Sequence, residues 1–89
     1  MKYGIYSIRD SASGVFTAPT IDLTDNSAIR AFSQAANNSD SMMNFCPSDF
    51  SLYRVGTFNV ESGTIVPLNP PMMLVSADRL LEVVNENEN

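Results

Sequence analysis

The sequence predicts an α+β fold: a small twisted antiparallel sheet of four to five strands in two hairpins, one central amphipathic helix packed on it, and a short C-terminal helix. Three observations point there. Residues 2–9 and 51–60 are rich in aromatic and β-branched types and each runs into a turn containing glycine. Between them lies one segment with helical apolar spacing. The 89 residues are 44% hydrophobic, which is material for a single core that buries about 60–65% of the unfolded surface.

The first hairpin takes residues 2–9 as one strand, a turn through Asp10 and Gly14, and residues 15–17 as a short return strand that Pro19 stops. The helix follows. Thr24 is a good N-cap, Asp25 and Asn26 open the first turn, and Ala28, Ile29, Phe32, Ala35 and Ala36 form one stripe over residues 25–37. Ser27, Arg30, Ser33 and Gln34 make the solvent face, and the run from Asn37 to Asp40 ends the helix.

Residues 41–45 read as a short extended piece before Pro47. The second hairpin pairs residues 51–60 with 64–68 across a turn at Glu61, Ser62 and Gly63, and Pro67 puts the return strand at a sheet edge. Gly56 is the expected site of a bulge. Ser76 is positioned to cap a short helix through Leu80, Leu81 and Val84. Residues 1–84 thus form one domain, and residues 85–89, alternating Asn and Glu, form a disordered acidic tail.

In this arrangement Ile29, Phe32 and Ala36 bury against Ile5 or Tyr6, Val55 or Phe58, and Ile65. The strands alternate imperfectly. Tyr6 and Ile8 oppose Tyr3 and Ile5, and Leu52 and Phe58 oppose Tyr53 and Val55. A sheet with one solvated face alternates more cleanly, so the C-terminal segment or a partner is expected to cover the second face. A homodimer through an apolar face or an open edge strand is one form of that expectation.

Composition excludes most chemistry. The chain has no histidine and one cysteine, so His-dependent bases, Ser-His and Cys-His nucleophiles and a structural zinc site are all removed. Cys46 reads as a small half-buried hydrophobe before Pro47. Asp22, Asp25 and Asn26 suggest an EF-hand, but Ser27 stands where the loop needs glycine and Ser33 where it needs glutamate. Helix capping explains the same residues. The four glycines stand apart, so no phosphate-cradling loop exists. We therefore expect no catalytic residues, no metal, no cofactor and no enzymatic activity. No apolar run is long enough to span a bilayer, no secretory signal is evident, and an unpaired cysteine suits a reducing cytoplasm.

The net charge of −5 is concentrated late in the chain: residues 1–30 balance, 31–60 carry −1 and 61–89 carry −4. A tight phosphate binder would be basic. Aromatic and basic residues nevertheless interleave in the strands, and such sheet faces stack single-stranded bases. The candidate nucleic-acid-binding residues are Lys2, Tyr3, Tyr6, Arg9, Arg30, Tyr53 and Arg54. Met42, Met43, Met72 and Met73 are ordinary core residues or an adaptable contact surface.

Three stretches carry a family resemblance: MKYGIYSIRD at residues 1–10 with Gly14 and Phe16; Asp25, Asn26, Ala28, Arg30 and Phe32 in the helix; and PSDFSLYRVGTF at residues 47–58 with Gly63 and Ile65. Together they resemble the non-structural ORF5 protein of gokushovirus-type microviruses, small single-stranded DNA phages. The likeness covers residues 1–68 and fades after Pro71. It implies a phage accessory protein made in the cytoplasm of the infected bacterium and acting in viral genome replication, either on single-stranded DNA or in the switch from duplex to single-strand synthesis. It carries over no catalytic residue.

Two function classes follow. A DNA-associated replication accessory would gather Lys2, Arg9, Arg30 and Arg54 into one patch. A protein–protein adaptor, acting on the phage initiator, the assembling capsid or a host factor such as a replication protein, would show scattered basic residues and an apolar second sheet face.

Overall fold

The computed structural model describes residues 1–81. In chain order it contains β1 (Lys2–Asp10), β2 (Val15–Phe16), β3 (Thr20–Asp22), α1 (Asp25–Ala36), the one-turn α2 (Met42–Phe45), a 3₁₀ turn (Pro47–Asp49), β4 (Phe50–Asn59), β5 (Ile65–Ser76) and a second 3₁₀ turn (Ala77–Arg79). All pairing is antiparallel. β1 and β4 are central, β5 is one edge, and β2 and β3 share the far side of β1 at its two ends. The α+β class and the five-strand antiparallel sheet are as the sequence predicts.

Local chemistry explains the boundaries. Gly14 (φ 75°) and Gly63 (φ 72°) take the left-handed conformation that closes each hairpin turn. Thr24 Oγ1 accepts from Ser27 N–H at 3.0 Å and so caps α1 as expected. Asn37 closes it, its backbone N–H reaching the Ser33 carbonyl at 3.0 Å. The bulge falls at Val55, beside Gly56, where the β1 and β5 registers both shift. A Cβ at Gly56 would stand 2.9 Å from the Val66 carbonyl oxygen, so the strands close on a position that only glycine fits.

Four expectations need correction. Residues 41–45 are not extended: Ser41 Oγ accepts from Met43 N–H at 3.1 Å and starts a helical turn, a local side-chain bond that competes with strand formation. The return strand runs to Ser76 instead of stopping at 68. Pro67, Pro70 and Pro71 are tolerated because β5 is an edge strand paired only with β4. Ser76 makes no side-chain cap, and a 3₁₀ turn replaces the short C-terminal helix. Val84 and the tail at 85–89 lie outside the described residues.

The fourth correction concerns the core. Phe32, Ala28 and Ala36 bury against Tyr6, Leu52 and Ala77, with Ile8, Ile29, Phe50, Leu74, Val75, Leu80 and Leu81 packed around them. Val55, Phe58 and Ile65 take no part, and Ile65 is 63% exposed. The register places Phe58 and Ile65 on the sheet face away from α1. The helix therefore sits over the Ile8–Leu52 half of the sheet and leaves the hairpin beyond Thr57 overhanging. The described chain is correspondingly long, 53 × 28 × 19 Å.

Candidate interaction surfaces

Because directly paired residues point to the same side of a sheet, the register sorts the side chains into two faces. On the α1 side lie Lys2, Gly4, Tyr6 and Ile8 of β1 with Asn59, Thr57, Arg54 and Leu52 of β4. On the other side lie Tyr3, Ile5, Ser7 and Arg9 with Phe58, Gly56, Tyr53 and Ser51. β2, β3 and β5 add Phe16, Ile21, Ile65 and Met73 to that second face.

Among the described residues no helix lies over the second face, although Ile5 (7% exposed) and Ser7 on it are buried within the sheet and against Thr17. As far as Leu81 the C-terminal segment packs on the α1 side instead, where Leu80 and Leu81 join the core and Asn37 Nδ2 donates to the Leu80 carbonyl at 2.9 Å. Phe16 (42% exposed), Ile21 (53%) and Met73 (52%) stand out among the residues left open. Two aromatic pairs punctuate the face. Tyr3 is opposite Phe58, and Tyr53 meets Phe16 edge-on with ring centroids 5.3 Å apart. Arg9, opposite Phe16, brings the one charge to this face, and it has no ion-pair partner among the described residues.

The predicted site residues do not form one patch. Tyr3, Arg9 and Tyr53 share the open face. Arg30 is exposed on the solvent side of α1. Tyr6 is a core residue, 1% exposed, whose hydroxyl donates to Asp25 Oδ1 at 2.6 Å. Its ring offers no stacking surface. Arg54 lies 5.9 Å above that ring and pairs with Asp25 at 2.9 Å. Burial first, and then the bond and charge of Asp25, push the Tyr6 hydroxyl up to about 12, while Arg54 acts in the opposite sense.

Lys2 and Arg54 do come together, in a groove of 440 Å³ under the overhanging hairpin, lined also by Thr57, Asn59, Ser62 and Thr64 with Val66 as its apolar wall. A smaller cavity of 160 Å³ lies between β1 and α1, walled largely by Ala18, Ala28, Ala31, Ala35 and Phe32. Sequence reasoning missed Thr57, Asn59, Ser62 and Thr64. Their signal was the polar alternation running from Thr57 into the turn, legible only once the helix was known to stop short of it. Among the described residues no group of three or more His, Cys, Asp or Glu is placed to hold a metal, and no helix is long and apolar enough to cross a membrane.

Fold and surfaces together define a two-layer α+β protein in which one helix covers half of one sheet face and, among the described residues, no helix covers the other. The chain belongs to the Phage ORF5 protein family, whose model matches residues 3–80. No curated protein and no solved structure matches it.

Proposed function

We propose that this phage protein is a non-enzymatic accessory factor in viral genome replication that works as an adaptor, docking a protein of the phage or host replication complex on its open sheet face. One observation carries the reading: along the face uncovered by the described residues run two aromatic pairs and exposed Ile65, Ile21 and Met73, with a single charge, Arg9, at one end. Large exposed apolar patches rimmed by polar groups mark interaction sites. The lone unpaired guanidinium suits a partner that brings an apolar surface and a carboxylate. The five basic residues are dispersed, four over both sheet faces and α1 and Arg79 in the second 3₁₀ turn, which argues against a charge-driven DNA clamp.

The test uses the purified initiator of the phage, followed by light scattering and hydrogen exchange. Complex formation should protect amides of β1 and β4. Met73→Lys, at an exposed position, should weaken the complex at least about tenfold without unfolding the protein, and Arg9→Glu should do the same. Unchanged affinity in both variants would remove the open face from the reading. Self-association of the protein alone, abolished by Met73→Lys, would identify a second copy as the occupant.

A second reading starts from the same aromatic pairs: Tyr53 near Arg9, and Tyr3 six residues along β1, would stack single-stranded bases, at about 1–3 kcal/mol per base. It predicts weak binding to single-stranded DNA with a shallow salt slope of about −0.7 for each phosphate engaged. Tyr53→Ala and Arg9→Ala should each abolish it, and no detectable binding at low salt leaves the adaptor alone.

A further inference from the structure

We propose that the groove beneath the overhanging hairpin binds a phosphate group, carried by a nucleotide or by a nucleic-acid strand. It lies on the sheet face opposite the adaptor surface and stands independently of that reading. Arg54 holds its fork in place by donating from Nη1 to Asp25 Oδ1 (2.9 Å), from Nη2 to Thr57 Oγ1 (3.1 Å) and from Nε to the Gly56 carbonyl (3.3 Å). A guanidinium has five N–H groups, so two remain to donate. Lys2 makes no ion pair and no side-chain hydrogen bond within the described residues, and its ammonium adds three donors.

The acceptors are already taken. Asn59 Oδ1 accepts from Glu61 N–H (3.0 Å) and Ser62 N–H (3.2 Å), which fixes the amide with its Nδ2 unused. Thr57 Oγ1 accepts from Arg54, and its own proton remains to give. Ser62 Oγ accepts from Thr64 N–H (3.2 Å) while donating to Thr64 Oγ1 (2.8 Å). Of the nearby carboxylates, Asp22, opposite Gly4, accepts from Leu23 N–H (2.7 Å), and the other two are paired. Asp25 serves Arg54 and Tyr6, and Glu61 pairs with the α-ammonium of Met1. What is left lining the 440 Å³ groove is a set of unspent donors and the ammonium of Lys2, which has no ion-pair partner among the described residues. That surplus suits an oxyanion with several acceptor oxygens. The volume is in the range of small-ligand pockets, and Val66 gives the non-phosphate part an apolar wall.

The test is an amide-resolved NMR titration of the whole chain with inorganic phosphate, a deoxynucleoside monophosphate and a short oligothymidylate, against chloride at matched ionic strength. Phosphate and the monophosphate should shift the amides of Gly4, Thr57 and Asn59 saturably. Lys2→Gln should weaken both by about tenfold, the worth of one charge-assisted hydrogen bond, and Lys2→Glu should abolish them. Tighter binding of the monophosphate than of the oligonucleotide assigns the phosphate to a free nucleotide, and the reverse order assigns it to a strand. Tyr53→Ala, on the opposite face, should leave the titration unchanged, so failure of the open-face reading does not affect this one. Shifts no larger than those with chloride, or equal affinity in Lys2→Gln, would overturn the proposal.

Discussion

At the scale of single residues, Tyr6 decides most. It reads in sequence as one more strand aromatic available for stacking, yet its ring is buried and its hydroxyl ties the sheet to the start of α1 through Asp25. No residue pattern marks that role, because it depends on the bulge at Val55 bringing Arg54 opposite Tyr6. A raised folded-state pKa favours the protonated hydroxyl, so its contribution is complete below the unfolded value of 10.0 and is lost as pH rises toward about 12. Tyr6→Phe should be less stable than the parent at pH 8 by about 1 kcal/mol. The two melting temperatures should converge between pH 10 and 12, and parallel curves would show that the hydroxyl is not desolvated. Gly4 is the companion requirement. A Cβ there would lie 2.1 Å from the Tyr6 hydroxyl oxygen, so Gly4→Ala should unfold at clearly lower denaturant than the parent, and a midpoint within error of it would refute the packing of Tyr6 over β1.

At the scale of elements, α1 was the most legible. Its cap, its first turn and its apolar stripe are all local, and local signals survive folding. Thr24→Ala should cost about 1 kcal/mol, and Phe32→Ala, which empties the centre of the core, about 3–5 kcal/mol, both read from urea unfolding. A Phe32→Ala protein that melts within two degrees or so of the parent would place the helix elsewhere. β5 was half legible. Residues Ile65 to Leu68 announce a strand, and Pro67 places it at an edge, but Pro70 and Pro71 look like its end until the topology shows the whole strand with one neighbour. Which half of β4 the helix covers was not legible at all, since Leu52 and Phe58 are equally apolar and only the register separates them.

At the scale of the molecule, stability is unevenly distributed. The core lies at the Ile8–Leu52 end, and the far part of the β4–β5 hairpin has no second layer. Native-state hydrogen exchange should therefore find the amides of α1 and residues 50–54 opening with the global unfolding energy, and those of residues 57–66 opening at lower cost. Equal protection along β4 would mean that the overhang is covered in solution. The apolar residues Tyr3, Ile5, Tyr53 and Val55 pointed to a second face covered by the C-terminal segment or a partner. As far as Leu81 the chain leaves Tyr3 and Tyr53 half-buried there, while Ile5 is buried within the sheet and Val55 falls at the bulge. The groove was not foreseen, because it is made of residues the helix fails to reach.

The central pair of strands, β1 and β4, joins residues as far apart as Lys2 and Asn59. Loop closure over that span must be met before the sheet has a middle. During synthesis, β1 and its short partners leave the ribosome tens of residues before β4 exists, holding Ile5, Tyr6 and Ile8 with nothing to bury them against. The core closes only after Leu52 and Ala77 have been made, so the protein completes its folding late, when nearly all of its described chain is available at once.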